Sequence, residues 1–210
     1  TKPGVYLRFL QRFGFEIRYV EDIGPATKLI PALKDFPDDT VITIDDDIVY
    51  PPNLIESLLD GSTLHPDAVV AARAHRIAFF KDGSVGNYTD WHGNIGTGEC
   101  SPFVFATGVG GVLYPQRIFS DEVFNLDRMK RLAPKADDIW FYCMAVLNNK
   151  RTYVLPGSSP LHERRSLQGS GLFHYNTSLG GNDIQLAELF REYPVAEKLK
   201  RWIDDNKDDA

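Results

Sequence analysis

Cysteine is scarce in this chain: 210 residues hold two, Cys100 and Cys143, with no CxxC or Cys/His spacing around either. That argues against a disulfide-stapled scaffold and a thiolate metal site, and both are read as free thiols of a reducing compartment. Long apolar runs are also missing. Nothing approaches the roughly 20 residues that cross a bilayer, so no membrane segment is expected. No apolar stretch of signal-peptide type follows Thr1-Lys2-Pro3-Gly4. Together these features predict a soluble, cytoplasmic location. Positive charge is short as well: 23 Lys and Arg against 29 Asp and Glu leave a net charge of −6, which speaks against a nucleic-acid partner. Part of the acidic surplus is a solvated tail at Asp204, Asp205, Asp208 and Asp209. Internal repeats and low-complexity tracts are absent.

What is present has ordinary globular composition, 43% hydrophobic and 25% charged. The length predicts a single domain over 1–210, standing alone or as a piece or the N-terminal domain of a longer protein. Val5 to Phe13 carries apolar residues at helical spacing and stops at Gly14. "FEIRYV" (15–20) alternates like a strand, and "ATKLIPALKDF" reads as a helix shortened or bent by its proline. "TVITI" (40–44) is a β-branched run of the kind buried in a parallel sheet. "PNLIESLLDGS" has helical period ending at Gly61, and "AVVAARA" and "IAFFK" read as strands. Residues 82–101, rich in Gly, Ser, Thr and Asn, read as a long loop. Beyond "FVFATGVGGVLYP" come helices near 117–131 and 138–148, a strand at "RTYVLP", a polar loop over 157–181 and a helix near 183–203. Strands alternating with helices predict an α/β sandwich around a mainly parallel, mixed central sheet.

"VITIDDDIVYPPN" (41–53) sets three carboxylates directly after a strand. Ligands of open α/β sheets sit beyond the strand C-termini, where this triplet falls. Crowded carboxylates repel one another, and a divalent cation is the simplest remedy. Oxygen ligands suit Mg²⁺ or Mn²⁺. If the strand continues, Asp45 and Asp47 share a side and can share the cation, while Asp46 points away. A plain capping or turn cluster is the competing reading.

Four stretches, "GPATKLIPALKDFPDDTVITIDDDIVYPPNLIESLL", "TGVGGVLYP" (107–115), "ADDIWF" (136–141) and "GGND" (180–183), together resemble the GT-A-type, DXD-containing nucleotide-sugar glycosyltransferases. The likeness covers about residues 15–185 and extends to large-DNA-virus, chlorella-virus-type glycosyltransferases that decorate capsid protein; a viral origin would place the enzyme in the host cytoplasm. The resemblance implies a GT-A-like α/β/α sandwich that moves a sugar from a nucleotide-sugar donor, a UDP-sugar, to a hydroxyl of a carbohydrate or glycoprotein acceptor. It implies Mn²⁺ or Mg²⁺ held by Asp47 and Asp45, with His174 of "GLFHYN", or less readily His162, completing the shell. It implies donor contacts from Lys28, Asp45, Asp46 and the glycines Gly110 and Gly111. One of Asp137 and Asp138 would meet the acceptor hydroxyl as general base, with Asp138 preferred.

Plainer readings stand beside several of these. Lys28 also suits an ordinary solvated lysine, TGVGG a packing turn, and one of the two aspartates a helix cap. Tyr88, Trp91 and His92 suit either a sugar platform or a loop anchored by a buried Trp. One departure is the start of the chain, where a single helix precedes "FEIRYV" and the family places a strand–helix–strand unit. Two other classes fit less of the sequence. A haloacid-dehalogenase-type phosphatase or phosphotransferase would make Asp45 a covalent nucleophile and use Lys135. A non-catalytic nucleotide-sugar-binding module would keep the fold without turnover.

Overall fold

The computed structural model describes residues 4–80, 84–157, 162–163 and 180–205. From its start, α1 (Val5–Leu10) tightens into a 3-10 turn and ends at Gly14, which adopts a left-handed φ of 86°. A second 3-10 turn, Gly24–Lys28, leads into α2 (Ile30–Asp35), with Pro31 tolerated in its first turn. Next come β1 (Val41–Thr43), β2 (Ile48–Val49), α3 (Leu54–Leu64), β3 (Ala68–Ala71) and β4 (Ala74–Arg76). The glycine-rich stretch carries β5 (His92–Ile95) and β6 (Cys100–Ser101), followed by β7 (Val104–Ala106) and β8 (Val112–Tyr114). The chain then forms α4 (Leu126–Leu132), α5 (Asp137–Leu147), β9 (Arg151–Val154), β10 (His162–Glu163), α6 (Gly181–Glu192) and α7 (Val195–Asp205).

A five-stranded sheet in the order β1-β8-β3-β9-β6 forms the centre, flanked by a three-stranded sheet, β5-β4-β7, and a small β10-β2 pair. Alternation along the central strands divides the core into two layers. Val70, Leu113 and Tyr153 face Leu54 and Leu58 of α3. Val69, Ala71, Val112, Tyr114 and Val154 face the larger cluster built with α5, α6 and α7. The result is a mixed α/β sandwich with helices on both faces. Trp140, Ile139 and Met144 of α5 are fully buried, each contributing about 1.5–3 kcal/mol.

The sheet is mixed but not mainly parallel: among the described residues β3–β9 is its one parallel pair, and β8 runs opposite to both β1 and β3. Parallel neighbours need a long connection, which β3 and β9 have in the stretch carrying α4 and α5, whereas β8 sits between β1 and β3 and runs opposite to both. Four smaller expectations also fail. "FEIRYV" forms no strand; it finds no neighbour to pair with, and Phe15, Tyr19 and Val20 stay exposed. "IAFFK" contributes only an isolated bridge, Phe79 to Val85. α3 runs through Gly61, because a Cβ there would lie 2.8 Å from Val70 and the helix uses the gap to press on the sheet. The last helix is two, broken at Tyr193–Pro194, where proline lacks the amide an unbroken helix needs.

A candidate active site where β1 meets α5

Three separated stretches converge beyond the end of β1. Ladder pairing stops at Thr43 opposite Val112, and the chain passes through exposed Ile44 to Asp45 before turning at Asp46–Asp47 into β2. The strand therefore does not continue through the triplet, and the two-residue alternation expected to put Asp45 and Asp47 on one side does not apply. Asp46 is exposed, while Asp45 and Asp47 are half-buried.

Asp45 is fixed from two directions. Its backbone N–H donates to the Tyr50 hydroxyl at 2.9 Å, and that hydroxyl donates to the Val109 carbonyl at 2.8 Å. Its side chain accepts a hydrogen bond from Lys28 Nζ at 2.9 Å. Lys28, at the end of the 3-10 turn before α2, also reaches Asp137 Oδ2 at 3.7 Å. Burial alone would lower the Lys28 pKa; the charges of Asp137 and Asp45 outweigh it and raise it. Lys28 is thus a half-buried cation shared by two motifs, not a solvated lysine.

Asp137 and Asp138 open α5, whose start has no side-chain cap. Asp137 is buried, and its Oδ2 makes no hydrogen bond. Burial pushes its pKa up, and Lys28 pulls it back part of the way. Asp138 is half-buried; its Oδ1 accepts the Ile139 amide at 2.9 Å. Its carboxyl is pushed up to about 7, first by burial and then by the neighbouring Asp137 charge.

The glycine turn borders this cluster at Gly108, where a Cβ would sit 3.0 Å from Lys28 Nζ. Gly110 and Gly111 are required by the protein's own packing. A Cβ on Gly110 would meet Arg73 Cβ at 2.3 Å, and Gly111 holds a φ of 91° against Leu54.

The carboxylates fit a hard divalent cation in chemistry. Asp45 turns an oxygen toward the same ammonium that Asp137 faces, and Asp137 Oδ2 is a buried acceptor still lacking a hydrogen bond. Among the described residues no three His, Cys, Asp or Glu side chains cluster as a ready-made metal cage. Mg²⁺-type sites need only one or two carboxylates when a diphosphate and waters supply the rest. His174 lies outside the described residues, as does the side chain of His162.

In the glycine-rich stretch, Trp91 is an anchor: its buried indole donates to the Gly86 carbonyl at 3.0 Å and packs on Phe105. His92 is exposed on β5. Tyr88 is half-buried; its amide donates to Asp183 Oδ1 of α6 at 2.6 Å, which gives "GGND" a structural task. Burial raises the Tyr88 phenol, and the charge of Asp138 raises it further.

Sequence reasoning missed three residues. Tyr50 ties the acidic turn to the glycine turn through its hydroxyl. Arg73 donates to Thr107 Oγ1 at 2.8 Å across the glycine turn. His75 is buried and neutral, its pKa lowered to about 4 by burial and then by Arg73, and its Nδ1 accepts the Asn94 amide at 3.1 Å. The arginine and histidine of "AARAHR" were legible as polar residues at a strand exit, though their partners were not. The cation beside Asp45 is Lys28, whereas Lys135 is exposed and its backbone amide donates to Gln185, which weakens the dehalogenase-type arrangement. No protein-family model matches the chain, and no curated protein matches it.

Proposed function

We propose that this chain is a GT-A-type glycosyltransferase domain that transfers a sugar from a UDP-sugar to a hydroxyl of a carbohydrate or glycoprotein acceptor. One observation carries the reading: Lys28, Asp45 and Asp137, from two of the four resembling stretches, meet around a single ammonium bordered by Gly108 of a third. Sites of this kind, a cation and carboxylates with perturbed pKa values at the end of a sheet strand, are where charged substrates are handled.

In this mechanism Asp45 and Asp47 would hold Mn²⁺ or Mg²⁺, which when bound offsets the charge on the diphosphate leaving group. Lys28 supplies a fixed positive charge beside the same diphosphate, and Asp45 keeps it in place when the donor is absent. Gly108 leaves room for the ammonium. Asp138 receives the proton of the acceptor hydroxyl: a carboxyl with a pKa of about 7 is basic enough to take it and still half deprotonated at neutral pH. Asp137 stays ion-paired with Lys28, and its charge helps keep Asp138 basic.

The direct test is incubation with a panel of UDP-sugars and Mn²⁺, reading free UDP with and without glycan acceptors. Release that needs both metal and Asp47 supports the reading. Saturable donor binding without any UDP release would make the chain a nucleotide-sugar-binding module, and a phosphoenzyme at Asp45 would overturn the assignment.

A further inference from the structure

Leu54, the side chain against which Gly111 packs, also forms part of the wall of a groove of about 360 Å³. That volume lies within the roughly 300–1,000 Å³ usual for small-molecule sites. Its neighbour Ala72 donates its amide to the Gly111 carbonyl at 3.1 Å, so one layer of residues joins the groove to the glycine turn of the candidate active site.

The two walls differ in chemistry. Asn53, Ser57 and Asp60 follow one another at i, i+4 and i+7, which places an amide, a hydroxyl and a carboxylate along one side of α3 and its cap. Asn53 contacts Ser57 at 3.4 Å, and among the described residues the Asp60 side chain makes no hydrogen bond or ion pair. Opposite lie Tyr153 and Leu155 at the end of β9, and the Tyr153 ring is fixed by the His65 ring at 4.2 Å. Leu64, at the rim, is 69% exposed.

A ligand matching these walls has hydroxyls along one edge, an apolar C–H face on the other and no negative charge to meet Asp60. A neutral pyranose ring has that form. We propose that the groove is a sugar subsite holding a ring of the acceptor, its hydroxyls toward Ser57 and Asp60 and its C–H face against Leu64 and Leu155. The proposal rests on the transferase reading above for the word acceptor, though not for the sugar itself.

The test uses the full chain labelled with ¹³C at leucine methyls and titrated with methyl glycosides of glucose, galactose, mannose, xylose and N-acetylglucosamine, then with cellobiose and lactose. At least one of these sugars shifts the Leu64 and Leu155 signals saturably, while those of Leu189, fully buried in the opposite core layer, stay put. The double substitution Ser57→Ala with Asp60→Asn on α3 weakens that binding at least tenfold and leaves Mn²⁺–UDP binding, read by calorimetry, within twofold. Silence at Leu64 and Leu155 with every sugar overturns the subsite, as do shifts that survive the double substitution. UDP release on the same samples separates the two ideas. If release occurs and its acceptor dependence ignores the double substitution, the subsite falls and the transferase stands. If sugars bind the groove and no donor is cleaved, the transferase falls and the sugar site stands.

Discussion

Adjacent aspartates occur twice around this site, at 45–47 and at 137–138, under opposite physical conditions. The first group lies on a turn where Asp46 is open to solvent and Asp45 has an ammonium at 2.9 Å. Water and the Lys28 ammonium screen its mutual repulsion. The second group is sunk at the start of α5, where Asp137 Oδ2 has no hydrogen bond and Asp138 is pushed up to about 7. Repulsion that solvent hides in one place appears in the other as proton affinity. The same residue type is thereby suited to gripping a cation in the turn and to accepting a proton on the helix.

Substitutions can break that division of labour one side at a time. The largest effect is expected from Asp47→Ala, which abolishes metal-dependent UDP release; its melting temperature stays equal or rises slightly, because a like charge has gone from an acidic turn. Metal-dependent turnover that survives in this variant would remove the cation from the turn. Asp138→Asn lowers sugar transfer about 10²–10⁴-fold, as loss of a general base does. Donor affinity measured by calorimetry stays within twofold; equal loss of both would deny Asp138 the proton. In the wild type, kcat/KM for transfer rises with pH through about 7 and then levels, since the carboxyl must be ionised to act.

Lys28→Met strips the shared counter-ion from two partly buried carboxylates and costs about 1–3 kcal/mol in denaturant unfolding at neutral pH. The loss is smaller at pH 5 than at pH 8, because Asp137, already raised, can take up a proton where it lacks its partner. A pH-independent loss would mean that the ammonium matters for packing alone.

The smallest effect is on the pH dependence of stability. Asp138 is raised from 3.8 to about 7, so between those values the folded chain holds a proton that the unfolded chain releases. Its contribution to stability is complete below about pH 4 and is lost as pH rises through 7. His75, lowered from 6.5 to about 4, acts in the reverse sense, since the unfolded chain binds the extra proton. The difference in melting temperature between wild type and Asp138→Asn therefore isolates the carboxyl. Wild type loses a few degrees relative to the variant from pH 5 to pH 8; a constant difference would show that Asp138 is not raised.

Local signals made part of this legible in the sequence. The β-branched residues before Asp45 form β1, and the apolar "IWFYCMAV" after Asp137 and Asp138 forms the buried helix. Three site residues, Lys28, Asp45 and Asp137, came from motifs that the fold brings together. What escaped depends on neighbours distant in the chain. The alternation in "FEIRYV" has the period of a strand, but a strand needs another to bond with. Residues 91–95 look like loop because of Gly93 and Asn94, yet β4 supplies them a partner. Tyr50 and Arg73 take their roles from the glycine turn, and nothing within their own stretch announces it.

The Tyr50 phenol has a mechanical consequence. One oxygen takes the amide of Asp45 and gives its own proton to Val109, so it fastens two otherwise separate loops like a cross-brace. Whatever displaces the glycine-rich loop will drag the acidic turn with it, and a substrate that reaches only one of them still sets the posture of both.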